Sequence, residues 1–387
     1  MEFRFTKEDE EFRQEVRKFL QGETELLTKV RDEEAQGTGW GPYTREFMRK
    51  AGARGYLAPS WPKKYGGLEA SYIQRHIIAE EMSYYAGRIG PVGLGIAGHV
   101  ILHHGSDEQK EDLLPKIARG EIEFALGYTE PQAGSDLAAL EIRAVKDGDY
   151  YVINGQKTFN TATHYANYHW LGVKTNPPAK HRGISLFIID LKTPGITIRP
   201  LIGLGKARTN EVFYDDVRVH KSVLVGEENH GWEYILEALT YERNWLSGEA
   251  FYELDRLLDY TKNNRRNGEP IAKDPIVRQN VAQIAMELEI NRLFAIRVAC
   301  IVDKGKVPTY ESSMVKLFGS EAAYRAMLTT MKIMGPYGQL DRTSKHAVEN
   351  GRINRTYYNR ATRSILTAGT SEIQRNIIAL QIGLPRG

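Results

Sequence analysis

The segment DYYVINGQKTF, residues 149–159, carries the first clear strand signal in a chain whose preceding third reads as helix. Four further segments follow it: HWLGVKT (169–175), GISLFIIDL (183–191), ITIRPL (196–201) and EVFYDDVRV (211–219). Each is β-rich, short and bounded by Gly, Pro or Asp, as strands are. Before them, Phe12, Val16, Phe19 and Leu20 recur at helical intervals, and so do Ile73, Ile77, Ile78 and Met82. Thr6, followed by Lys7, Glu8 and Asp9, resembles a helix start, with acidic groups near the positive end of the dipole. SWPKKYGG (60–67) reads as a loop, and Ser106 and Gly120 bracket another short helix. From Gly231 onward the pattern is helical again, broken near 264–275, 303–309 and 335–342. The expected organisation is a helical domain over 1–122, a β domain over 123–228 and a helical bundle over 229–387.

Composition narrows the function classes. The 387 residues are 41% hydrophobic and 26% charged, with a net charge of +3, too small to argue for nucleic acid. Cys300 is the single cysteine, which excludes an internal disulfide and any zinc site with several cysteine ligands. The N-terminal MEFRFTKEDEEFRQEVRKFL reads as an amphipathic helix rather than a signal peptide or membrane span, so a cytoplasmic location without a metal centre is expected.

Two further segments carry chemistry. GYTEPQAGSD (127–136) precedes the strands, and AGTSEIQRNIIA (368–379) lies near the C-terminus. By themselves the first reads as a turn and the second as a capped helix, with Thr370 or Ser371 as the cap. Together, in order and with YYVINGQKTF, EVFYDDVRV and GEENHGW between them, they resemble the acyl-CoA dehydrogenase family along essentially the whole chain. The resemblance implies that family's α–β–α fold: an N-terminal helical domain, a central β-sandwich or barrel-like domain and a C-terminal four-helix bundle. It also implies FAD, an acyl-CoA substrate, an electron acceptor such as electron-transfer flavoprotein, a role in lipid or organic acid catabolism, and a tetramer.

The implied reaction takes a proton from the α-carbon of the thioester and a hydride from the β-carbon, which only a cofactor can accept. The resemblance maps flavin contacts onto Leu126, Tyr128 and Thr129 and a phosphate contact onto Gly134 and Ser135, Ser135 also bordering CoA. It places Phe159 and Thr161 beside the ring and Thr370 on the C-terminal side. Many relatives carry the catalytic glutamate immediately before Gly-Thr; here that residue is Ala368, whose N–H can still donate to the thioester oxygen. Relatives similar to isovaleryl-CoA dehydrogenase carry the base on an earlier helix, where this sequence has LTYERN with Glu242 and Arg243. Glu242 is therefore the expected base, its pKa raised in an apolar cleft, and Arg243 the expected border of the substrate site.

The half-site that a neighbouring subunit presents to the flavin departs from the family pattern. Anchored on Gly268 and Pro270, Asn264 and Asn267 replace an Arg and a Phe, although a shifted register returns Arg265 or Arg266 to the phosphate. In KIMGPYGQL, Lys332 replaces a Gln and Pro336 a Gly, which removes an N–H. The expected assembly is a homotetramer or, as these departures suggest, a heterotetramer with a related subunit. Two alternatives stay open: other acyl-CoA-linked flavin chemistry (a desulfinase, oxidase or monooxygenase), and a non-catalytic subunit. Arg88 lies near where glutaryl-type relatives read a carboxylate, and the glycines between Tyr84 and Gly98 leave room for a bulky acyl group.

Overall fold

The computed structural model describes residues 5–35, 39–87, 92–204, 208–242, 248–357 and 362–384. Six helices come first: α1 (Lys7–Gly22), α2 (Thr24–Ala35), α3 (Pro42–Ala53), α4 (Tyr72–Ala86), α5 (Gly98–His104) and α6 (Asp107–Ala118). Their starts follow from the side chains. Thr6 and Asp9 form a reciprocal capping box on α1, and Ser106 and Gln109 do the same on α6. The stretch 60–67 is a loop with one short turn of helix at Lys63–Tyr65, pinned by the buried Trp61.

The strands form one mixed sheet. They are β1 (Phe124–Gly127), β2 (Arg143–Asp147), β3 (Tyr150–Lys157), β4 (Tyr168–Lys174), β5 (Ile184–Asp190), β6 (Ile196–Ile202), β7 (Arg208–His220) and β8 (Leu224–Val225). The order is β6-β7-β3-β2-β4-β5-β8, with β1 added in parallel to β4. Trp170, Leu171, Val173, Ile184, Leu186 and Phe187 fill its interior, in one core with Ile96 to Ile101 of the preceding helices. Packing of strands on helices thus positions β1, the element that leads into the TEPQAGSD loop.

A helical region follows: α7 (Gly231–Glu242), α8 (Gly248–Asn263), a small hairpin of β9 (Arg265–Arg266) and β10 (Glu269–Pro270), then α9 (Pro275–Asp303) and α10 (Glu311–Met334). Short helices α11 (Arg352–Thr356) and α12 (Thr362–Ser364) lead to α13 (Ser371–Gln381). The hairpin turns on Asn267 and Gly268, both with positive φ, the Asn-Gly pair that such turns favour.

A buried charge network ties the first helices to this bundle. Arg13 donates to Glu80 at 2.7 Å and to Glu81 at 2.6 Å, and Arg292 of α9 donates to Glu80 at 2.7 Å. No helix among the described residues is long and apolar enough to cross a membrane.

Candidate active site

The TEPQAGSD loop is held from below by one carboxylate. Glu130 accepts from the backbone N–H of Glu141 at 2.6 Å and of Ile142 at 3.2 Å, and from Gln132 at 2.7 Å. Its fourth donor is Lys157 at the end of β3, at 2.7 Å, with both side chains almost fully buried. The same ammonium donates to the Tyr128 carbonyl at 2.9 Å, so β3 fixes both ends of the Tyr128–Glu130 turn. Burial pushes the Lys157 ammonium down, to about 8, against the pull of Glu130. Sequence reasoning assigned neither residue a role, because their contact joins positions that only the sheet brings together.

Above this pair two of the segments expected to contact the flavin, Leu126–Thr129 and Phe159–Thr161, are joined. Tyr128 turns its ring inward, its hydroxyl accepting from the Trp170 indole at 2.8 Å, so its side chain packs in the core rather than facing a ligand. The half-buried Thr129 hydroxyl makes no hydrogen bond among the described residues. Thr158 N–H donates to the Thr129 carbonyl at 2.9 Å, and the Asn160 amide donates to the Leu126 carbonyl at 2.9 Å. These two bonds lace the KTFNT segment to β1, with the hydroxyl of Thr161 3.5 Å from that of Thr209.

Between them Phe159 is 63% exposed at φ 57. A bulky residue held in the left-handed region with its ring in solvent is strained and unburied, the mark of a contact made with something other than this chain. Gly134 and Ser135 are exposed, and a Cβ at Gly134 would meet nothing within 4 Å. The bare backbone there leaves space for a phosphate to approach. These features fit a flavin lying along this edge.

The C-terminal segment is a separate turn. Ala368 and Gly369 are both left-handed, at φ 55 and 82, and Thr370 caps α13 by accepting from Ile373 N–H at 3.3 Å. Lys316 donates to the Gly369 carbonyl at 2.6 Å, and Gln374 donates to the Ala368 carbonyl at 3.0 Å. The Ala368 N–H has no partner among the described residues. No hydrogen bond among the described residues joins this turn to β1. Arg88 and Arg243 lie outside the described residues; Glu242 is the last residue of α7, and its side chain is not described.

A cavity of about 990 Å³ opens between the first helices and the bundle. Its walls are mostly apolar, including Met82 of α4, Leu94 and Ile96 before α5, and Leu254 and Leu257 of α8. Glu237 of α7 lines it one and a half turns before Glu242, so the helix that ends on Glu242 is part of the wall. Glu237 is gripped by His103 at 2.5 Å and His104 at 2.8 Å, which ties the end of α5 to α7. Burial opposes ionisation of Glu237, but the hydrogen bonds from the two imidazoles outweigh it and lower its pKa, while the bond to Glu237 raises that of His103.

A sheet edge prepared for a flat ring, in a chain that also encloses a large, mainly apolar cavity between its two helical regions, defines a flavin-dependent enzyme. Three domain patterns match in series: the acyl-CoA dehydrogenase N-terminal domain over 6–121, the middle domain over 125–217 and the C-terminal domain over 229–383. The chain belongs to the acyl-CoA dehydrogenase family.

It is 35% identical to acyl-CoA dehydrogenase FadE26 of Mycobacterium tuberculosis, over 100% of this chain and 99% of the relative. The crystal structure of the ChsE4-ChsE5 complex from Mycobacterium tuberculosis superposes with a TM-score of 0.88 at 35% identity, covering 100% of both chains. The Tcur3481-Tcur3483 steroid ACAD superposes at 0.91 with 31% identity, again over 100% of both. The caffeyl-CoA reductase-Etf complex subunit CarC of Acetobacterium woodii is 30% identical over 97% of this chain and 98% of the relative. The protein is an FAD-dependent oxidoreductase that dehydrogenates an acyl-CoA thioester across the CH–CH bond.

Proposed function

We propose that this chain is the base-bearing subunit of a mixed acyl-CoA dehydrogenase whose substrate carries a bulky, multi-ring acyl group. The observation that carries this reading is the cavity: about 990 Å³ of mainly apolar space, with α7 in its wall. A straight short acyl chain leaves most of such a volume unfilled. Support comes from a solved relative titled a steroid ACAD, and from two relatives solved as complexes of two differently named chains.

Bound at this edge, FAD would supply the hydride acceptor for the β-carbon, chemistry no side chain can provide. The Glu242 carboxylate takes the α-proton, the role a base at this step requires. The partnerless N–H of Ala368 donates to the thioester oxygen as negative charge grows there, which lowers the barrier to enolate formation. The loop of Leu126, Tyr128 and Thr129, with Phe159, Thr161 and Thr370, orients the ring; Gly134 and Ser135 receive phosphate; Arg243 borders the thioester. An electron-transfer flavoprotein would be the external electron acceptor, in keeping with the Etf complex named for one relative.

The altered half-site favours a partner subunit. The two departing stretches meet at one edge of the bundle, where Arg266 donates to the Ile333 carbonyl and Ile271, Ile333 and Met334 share one core. Arg265 is turned to the Gly268 carbonyl at 2.9 Å, and Asn267 occupies the left-handed corner of a hairpin. Both arginines are thus engaged within the chain, as expected if another subunit supplies the cation for the diphosphate. Exchanging Glu242→Gln in the assembled enzyme should abolish flavin bleaching by acyl-CoA, by at least ~100-fold in rate, while FAD content stays unchanged. Retained bleaching would remove Glu242 as the base. A homotetramer of this chain alone, with one FAD per chain, would remove the mixed assembly.

A further inference from the structure

The cavity is mainly apolar but carries polar side chains along its wall, and two of these are unusual. His76 on α4 is 3% exposed, and among the described residues neither ring nitrogen has a hydrogen-bond partner. Ser312, in the first turn of α10, is 2% exposed, and its hydroxyl likewise has no partner among the described residues. Both side chains line the cavity. A buried polar group left without a partner is destabilising, so native interiors pair such groups unless something else completes them.

Both reach the cavity from helices that pack on α9. α4 runs antiparallel to α9, fixed by the Tyr72 N–H donating to Asp303 at 2.9 Å and Arg292 donating to Glu80 at 2.7 Å. His76 is midway between those crosslinks, against the turn of α9 that contributes Val298 and Ala299 to the wall. Arg297 of the same turn reaches Tyr310 at 3.3 Å, beside the start of α10 and Ser312. Glu80 lies 4.0 Å from the His76 ring and is already engaged by Arg13 and Arg292. Burial pushes His76 down to about 4, so the imidazole is neutral and offers one N–H and one lone pair.

We propose that the α4–α9–α10 end of the cavity is a polar subsite for an oxygen function, a hydroxyl or a ketone, carried on the far end of the acyl group and held by His76 and Ser312. The inference rests on the reading of this cavity as the acyl site. A hydroxyl can donate to the free imidazole nitrogen and accept from Ser312; a ketone can accept from both the ring N–H and the serine hydroxyl. A purely hydrocarbon end leaves both groups buried and unpaired, and a site built this way discriminates against the analogue lacking the oxygen.

The test uses the FAD-loaded enzyme, with its partner subunit if assembly needs one, and three matched multi-ring acyl-CoA thioesters ending in hydroxyl, ketone or hydrogen. Flavin bleaching gives kcat/KM and KM for each. The wild type should favour the better oxygenated ester over the hydrocarbon by roughly tenfold, mostly through KM, and the hydroxyl and ketone arms identify which oxygen is read. His76→Leu should erase the preference while retaining turnover of the hydrocarbon ester, and Ser312→Ala should reduce it roughly threefold. If His76→Leu does not fold, Ser312→Ala and His76→Gln decide on the same ratio. Equal turnover of all three esters by the wild type, or a preference untouched by the variants, overturns the subsite. If none of the three bleaches the flavin but a straight-chain acyl-CoA does, the bulky-acyl reading itself has failed.

Discussion

Lys157→Met tests whether the TEPQAGSD loop is held by the buried ion pair beneath it. Methionine keeps most of the lysine stem but removes two hydrogen bonds, the 2.7 Å bond to Glu130 and the 2.9 Å bond to the Tyr128 carbonyl. Removing one partner of a buried pair costs about 3–5 kcal/mol, because an unpaired charge remains. Here Glu130 keeps two backbone N–H donors and Gln132, which places the loss at the low end, about 3 kcal/mol. That loss should be local. Hydrogen exchange at the Glu141 and Ile142 amides, which donate to Glu130, should report opening easier by about 3 kcal/mol, with remote α9 amides unchanged. FAD should bind at least ~10-fold more weakly, since an unanchored loop must be ordered on binding. Adding Glu130→Gln should recover part of the loss, a coupling of roughly 1–3 kcal/mol. Native protection at both amides together with native FAD affinity in Lys157→Met would refute the pillar.

Two other outcomes are expected. Phe159→Gly relieves a left-handed conformation worth about 1–2 kcal/mol and removes no core packing, so the apoprotein should stay within about 1 kcal/mol of wild type by urea titration while FAD affinity falls; a destabilised apoprotein with unchanged FAD affinity would make Phe159 a structural residue. Burial raises the Glu123 carboxyl from 4.5 to about 8, with Val92 N–H donating to it at 2.7 Å. A raised carboxyl pKa means stability is full below about 4.5 and declines as pH rises toward 8, by at most roughly 5 kcal/mol. Glu123→Gln should remove that decline, and a stability difference between variant and wild type that does not change with pH would contradict it.

Much of the architecture was legible because its signals are local. Thr6 and Ser106 announce helix starts through groups three residues away, and the breaks near 264–275, 303–309 and 335–342 coincide with a hairpin, a loop and a short 3-10 turn. The edge that gathers Leu126, Thr129 and Phe159 was legible only through resemblance, since periodicity says nothing about which turns meet. Glu130 was in plain view inside TEPQAGSD, but its partner Lys157 is 27 residues away and reaches it only after β3 has paired. The strain at Phe159 is a dihedral angle, which no composition reveals. Asn267-Gly268 carried a hairpin signal of its own, yet was read as the loss of an aromatic; its left-handed corner gives Asn267 a backbone reason to be there.

The turn at Ala368 has a consequence for how such enzymes diversify. Its shape depends on the carbonyls of residues 368 and 369, gripped by Lys316 and Gln374, and on the cap at Thr370; no bond in it uses the side chain at 368. The socket therefore tolerates losing or regaining a side chain without being rebuilt. On the proposal that Glu242 is the base, a lineage can pass the proton acceptor from this turn to the end of α7 through intermediates that keep both, which frees the vacated position to shape the acyl groups that fit. On this view the alanine is less a defect than a released constraint, and acyl-group range and proton chemistry can then evolve on different segments.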